Sequence, residues 1–177
     1  TEEDTDVEAT AELLLALKKA TPGLRLTLGV SSFVPKAHTP FQWQGVRPEA
    51  DKRLKLLAKR LKPKGIELRP ESYGWSVIQA LLSRSDRRLA PVIAAARGKH
   101  ESLGGWKQAY RAVREQTSGP ESPPAWEEVI HASWSPGRVL PWEHLEGPLP
   151  KATLAQHQAG ALTQTPPCGP DRPSPGA

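Results

Sequence analysis

Leu24-Arg25-Leu26-Thr27-Leu28-Gly29-Val30 alternates apolar and polar residues, and Ser31-Ser32-Phe33-Val34-Pro35-Lys36-Ala37-His38-Thr39-Pro40-Phe41-Gln42-Trp43 follows directly. In an extended chain Leu24, Leu26, Leu28 and Val30 fall on one side and Arg25, Thr27, Gly29 and Ser31 on the other. The first stretch therefore reads as a strand with one apolar and one polar face. Pro35 and Pro40 interrupt the second stretch, which reads as an ordered loop leaving the carboxyl end of that strand. Downstream, Pro48 opens a helix over about 48–62, with Leu54, Leu57 and Leu61 on one face and a dense Lys/Arg face opposite. Pro63 and Gly65 end it, and a short strand over Ile66–Arg69 follows. Upstream, Glu2, Glu3, Asp4, Asp6 and Glu8 crowd the start of another helix, Lys18 and Lys19 its end, and Pro22-Gly23 stops it. Thr5 or Asp4 is placed to cap it, Glu8 standing three residues after Thr5, and Val7, Ala11, Leu14 and Leu17 form its apolar stripe.

Helix, strand, helix, strand is the order of a parallel α/β sheet. Two short parallel strands do not close a sheet, and the order opens on a helix, so the expected architecture is the closing part of something larger. Beyond Pro70 the pattern turns helical, with helices expected over Tyr73–Leu82, Arg87–Ala96, Gly105–Glu115, Ala125–Ala132 and Ala152–Leu162. The proline- and glycine-rich segment Trp134–Pro150 reads as irregular. The chain thus divides into 1–70, a helical lobe over 71–162, and a tail over 163–177 whose Pro/Gly/Ser/Thr content predicts disorder.

The 177 residues suffice for one domain with a real core, and nineteen prolines are about twice the usual share. No apolar run approaches the roughly 20 residues of a membrane span, and the acidic start lacks a signal-peptide pattern, so a cytoplasmic protein with no membrane partner is expected. A single cysteine, Cys168, excludes an internal disulfide, a multi-cysteine zinc site and a self-contained iron–sulfur cluster. Charge is unevenly spread. Residues 1–23 hold two lysines against six acids, residues 24–115 nineteen basic residues against seven acids, and the remainder three against six. The basic middle supports a nucleic-acid reading.

The loop over 32–43 sits where parallel α/β folds place ligands, and Phe33, Phe41 and Trp43 either pack it or stack on a planar ligand. The polar strand face is either the solvent side of an edge strand or the lining of a barrel interior. Ser83-Arg84-Ser85-Asp86-Arg87-Arg88 reads as a junction between helices, with Asp86 or Ser85 as cap. Arginines in a first helical turn oppose the dipole, so they call for a partner such as Asp86, Glu71 or an external anion. Lys52, Arg53, Lys55, Lys59, Arg60, Lys62 and Lys64 form a face that is either solvated or set against RNA phosphates. His38, His100, His131, His144 and His157 lie too far apart for a metal pattern, and Glu127 and Glu128 are acid/base candidates without a partner. Trp126, Trp134 and Trp142 read as anchors of the irregular carboxy-terminal lobe.

Three stretches resemble one family. Thr1-Glu2-Glu3-Asp4-Thr5-Asp6-Val7-Glu8 is similar to the segment opening the helix after the fourth barrel strand of radical S-adenosylmethionine (SAM) enzymes. Ser31 to Trp43 resembles their S-x-F-x-P-K-x-x-T-P-F-x-W stretch at the fifth strand. Leu81-Leu82-Ser83-Arg84-Ser85-Asp86-Arg87-Arg88-Leu89 resembles the later L-L-x-R-G-D-R-R-L, with Ser85 in place of glycine. The group resembled is the radical SAM proteins carrying an N-terminal cobalamin-binding domain, in an uncharacterised bacterial branch, and the likeness covers about residues 1–145.

The resemblance implies an α/β fold made of the last two strands of a partial (β/α)6, TIM-barrel-like radical SAM barrel, followed by an α-helical lobe. It implies SAM and a [4Fe–4S] cluster in the parent protein, possibly with cobalamin, none of them held by this chain alone. The partner would be the N-terminal barrel half, and the substrate a small molecule or RNA. Thr27, Gly29 and Ser31 would face the cavity, Ser32, Phe33, Pro35 and Thr39 would lie near SAM or substrate, and the backbone at Ile66 and Leu68 would lie by the adenine. The family's C-x-x-x-C-x-x-C motif does not occur in this sequence, so no catalytic residue and no metal ligand is expected here. The contrasting expectation is a stand-alone basic RNA-binding or adaptor module.

Overall fold

The computed structural model describes residues 2–98 and 102–163. Of the tail over 163–177 expected to be disordered, Thr163 is helical, and residues 164–177, with His100 and Cys168, lie outside the described residues. The chain forms α1 (Asp4–Ala20), β1 (Thr27–Val30), α2 (Glu49–Leu61), β2 (Glu67–Pro70), α3 (Tyr73–Arg84), α4 (Ala90–Ala96), α5 (Leu103–Gln116), α6 (Trp126–Ile130) and α7 (Lys151–Thr163). It is an α/β protein, mostly helical, whose two strands pair in parallel with Thr27 opposite Glu67 and Val30 opposite Pro70. No helix among the described residues is long and apolar enough to cross a membrane.

The strands are shorter at their starts than the alternation suggests, because a strand needs a partner to pair with. Gly65, at a left-handed φ of 72°, ends the tight turn after α2 and sets β2 running only from Glu67. Glu67 N–H donates to the Leu26 carbonyl at 3.0 Å, so Leu24 and Arg25 extend past the start of their partner. Lys18 Nζ instead donates to the Leu24 carbonyl at 2.6 Å.

The acid-rich start of α1 is capped one residue before the expected Asp4 or Thr5. Glu3 is the N-cap, and its N–H donates to the Asp6 carboxylate at 2.7 Å. Val7 and Ala11 are buried as the stripe requires, packed with Leu57, Leu61, Ile66 and Leu68. Leu17 departs from expectation and is 43% exposed, since the packing on α2 and the sheet takes Leu14 and Leu15 instead.

Asp86 caps a 3-10 turn over Arg87–Leu89, and Pro91 falls in the first turn of α4, where its missing N–H leaves no intrahelical bond unmade. A second core joins α3, α4, α5 and α6 around Val77, Leu81, Val92, Tyr110 and Ile130, and Val46 from the loop before α2 is part of it. A third core is Trp43, Trp134, Leu140, Trp142 and Leu154, which gives the irregular 134–150 segment the tryptophan anchors expected of it. Trp126 packs elsewhere, edge-on to Tyr110 at 5.2 Å.

Contacts cross residue 70 freely. Trp134 N–H donates to the Trp43 carbonyl at 2.7 Å, Val46 N–H to the Ile130 carbonyl at 2.9 Å, and Trp142 Nε1 to Gln42 at 2.8 Å. His131 Nδ1 lies 2.7 Å from the Val46 carbonyl, and since a carbonyl only accepts, that nitrogen carries the hydrogen.

Tyr110 gives this core a pH signature. Burial, the largest cause, pushes its phenol up to about 12. A raised folded pKa means stability that is present below the unfolded pKa of about 10 and lost as pH climbs through 12. Tyr110→Phe is expected to remove up to about 2 kcal/mol of stability loss between pH 10 and 12. Parallel urea titrations of the two proteins across that range check this, and identical alkaline slopes would contradict it.

Candidate functional site

A cavity of about 280 Å³ opens at the carboxyl end of β1. Val30, Ser31, Ser32 and Phe33 line it as the chain leaves the strand, Phe41 faces it from the far end of the loop, and α2 supplies Arg53, Leu54 and Leu57. Phe33 and Phe41 meet edge to face, ring centroids 6.0 Å apart, and Phe33 is half exposed. The Ser32 hydroxyl is buried and has no hydrogen-bond partner among the described residues. Such a group carries a desolvation cost that a bound ligand would remove.

Two arginines close the rim. Arg53 Nε donates to Asp4 at 2.8 Å and its NH1 to the Glu2 carbonyl at 2.7 Å, while Arg47 reaches the same carbonyl at 3.3 Å. The start of α1 is thereby tied across the mouth. Aromatic edges, an unpaired hydroxyl and guanidinium groups suit a ligand with a flat ring and a polar tail.

Of the nine residues expected at a site, Ser31, Ser32 and Phe33 come together here. Thr27 and Gly29 do not line this cavity. They lie on the exposed face of the sheet, where a Cβ on Gly29 would meet nothing within 4 Å. Arg25 and Arg69 flank Glu67 on the same sheet at 3.2 and 2.9 Å, and Thr27 donates to it at 3.3 Å. The Arg69 hydrogen bond chiefly holds the Glu67 carboxyl below its usual range.

Pro35 is fully buried, its carbonyl accepting from Ser83 Oγ at 3.3 Å. Thr39 turns back on its own loop, donating to the Lys36 carbonyl at 2.8 Å. Ile66 and Leu68 place their side chains in the core under α1 and α2. Trp43, read as packing or stacking, is entirely buried and packs.

Sequence reasoning missed Arg47, Arg53, Leu54 and Leu57. A signal was present: Ala50, Arg53, Leu54 and Leu57 follow the i, i+3, i+4, i+7 spacing of one helix face, which puts Arg53 on the apolar side. Arg53 is accordingly no free phosphate contact, with its side chain 15% exposed, while Lys52, Lys59 and Arg60 are solvated. No group of three His, Cys, Asp or Glu residues among the described residues is placed to hold a metal ion.

At the helical junction Asp86 meets the expectation of a partner for Arg88, while Arg87 faces Glu121 at 3.8 Å. The Asp86 carboxylate accepts from Arg88 N at 3.0 Å and pairs with the Arg88 guanidinium at 2.6 Å, and that side-chain bond chiefly lowers its pKa.

No protein-family model matches the chain, and no solved structure matches it. An uncharacterized protein of Methanocaldococcus jannaschii is 26% identical over 131 residues, covering 73% of this chain and 29% of that protein. The chain therefore spans under a third of the length of this relative.

Proposed function

We propose that the chain is the carboxy-terminal part of a radical SAM enzyme of the cobalamin-type branch, inactive by itself. On this reading β1 and β2 are the last two strands of a partial (β/α)6 barrel, and α3 to α7 form a lobe on the substrate side. One observation carries it: a parallel sheet with only two strands among the described residues, its polar face uncovered and a ligand-sized cavity at the carboxyl end of β1. Parallel strands are normally covered on both faces, so this face calls for more strands and a partner segment. The far greater length of the archaeal relative is consistent with that.

The iron–sulfur cluster does not fit on the described residues, which offer no ligand set for it. This chain's residues would bind and orient instead. Ser32 would hydrogen-bond the ligand, the Phe33–Phe41 pair would hold a planar group, and the Arg47/Arg53 rim would keep the cavity closed against water. With Arg53 turned inward onto Asp4, the basic face over residues 52–64 offers less to the RNA-module reading than its seven cations would if all were solvated.

The protein that carries this chain is expected to bear C-x-x-x-C-x-x-C on the N-terminal side of Thr1. Reconstituted anaerobically with iron and sulfide and reduced with dithionite, it is expected to convert SAM to methionine and 5′-deoxyadenosine. Ser32→Ala in that protein should raise the KM for SAM or substrate about tenfold with little change in kcat, one hydrogen bond's worth. In the ligand-free chain the same change should stabilise the fold by about 1 kcal/mol, because it removes an unpaired hydroxyl. A loaded cluster that yields no 5′-deoxyadenosine overturns the enzyme reading. Unaltered KM together with unaltered melting temperature overturns the role of Ser32.

A further inference from the structure

The geometry points to a second site, for the carboxylate or phosphate group of a small organic molecule, between the carboxyl end of α3 and the 134–141 loop. A cavity of about 210 Å³ lies there, with Arg84, Arg88 and Arg138 among its walls. None of the three belongs to the barrel-type unit, so the site does not depend on the radical SAM reading.

The charges around this cavity do not balance. Asp86 is taken by Arg88 at 2.6 Å and Glu128 by Arg138 at 2.9 Å. Arg84 has no carboxylate partner among the described residues, although it is only 1% exposed. Its NH1 and NH2 donate to the carbonyls of Ile130 at 3.0 Å and Ala132 at 2.8 Å, which uses two of five N–H groups, and Nε is left without a partner.

A buried guanidinium without a counter-charge costs free energy, and an oxyanion restores the balance. Arg138 heightens the need, and the face of Trp134 offsets only part of it. Arg84 lies 3.8 Å and Arg138 4.4 Å from the Trp134 ring centroid, so two like charges are gathered on one indole. Burial and Arg138, in that order, draw the Arg84 pKa down to about 10. An anion in this cavity, which both guanidiniums line, would oppose both effects. Leu89, Val129 and Leu140 complete the wall, which suits an organic body behind the charged group.

The test titrates the full chain with inorganic phosphate and, separately, with succinate, each against sodium chloride at matched ionic strength, followed by calorimetry and tryptophan emission. Saturation by either anion supports the site, and the tighter arm identifies a phosphoryl or a carboxylate ligand. Arg84 variants lose fold stability along with the site, so Arg138→Gln is the working variant, expected to weaken binding about tenfold. Lys59→Gln on α2 is expected to bind as the parent does. The proposal fails if neither anion saturates, if Arg138→Gln binds normally, or if Lys59→Gln loses as much.

Discussion

Gly45→Ala is expected to destabilise the protein by about 3 kcal/mol or more, enough to shift its urea midpoint far below that of the parent. The reason is steric, not conformational. A Cβ at this position would overlap the carbonyl carbon and oxygen of His131, both backbone atoms that no rotamer change can move. The strand-like strap on either side makes retreat costly, because Val46 N–H, the Val46 carbonyl and the Trp43 carbonyl are all bonded to residues 130–134. By contrast Gly29→Ala, which meets nothing within 4 Å, should fall within about 0.5 kcal/mol of the parent. Equal midpoints for the two variants would show that the strap can open without loss.

Arg84→Met is expected to cost about 2 kcal/mol, read from the same urea curves. Methionine preserves much of the length and the contact with Trp134 but donates nothing. The Ile130 carbonyl would still accept from Val46 N–H, whereas the Ala132 carbonyl would lose the Arg84 NH2 that donates to it. The burial that depresses the Arg84 pKa works in the opposite direction, since removing a buried charge relieves its desolvation. That relief is why the expected loss stays near 2 kcal/mol and does not reach the larger values seen when a paired buried charge is stranded. A variant more stable than the parent would mean that desolvation outweighs both hydrogen bonds.

How far the fold was readable from the residues depends on the range of the forces involved. Caps, prolines and periodicity act within a turn or two, and they placed α2 and α3 closely and both strands in their proper order. Leu17 was misjudged because periodicity reports a face and not how far its covering elements extend. That the two strands run parallel was legible from the element order alone, whereas the register that sets Thr27 opposite Glu67 was not. At the candidate site Ser31, Ser32 and Phe33 were legible because they directly follow the strand. Arg53 was not, since its role depends on Glu2 and Asp4, about fifty residues away. Arg84 was read only as part of a junction between helices for the same reason. The carbonyls that bury it come from residues 130 and 132, at a separation no local pattern encodes.

The strap joining residues 43–46 to residues 130–134 also bears on the order of events during synthesis. His131 and Val46 are 85 residues apart, and Trp142 and Gln42 are 100 apart. At about 5–20 residues per second, the ribosome takes several seconds to deliver the later partners. Until then Trp43 and Val46 lack the surfaces that bury them, and the loop after β1 stays exposed to chaperones. Stalled or shortened translation products ending before residue 130 would therefore carry a paired sheet beside an unsettled cavity wall.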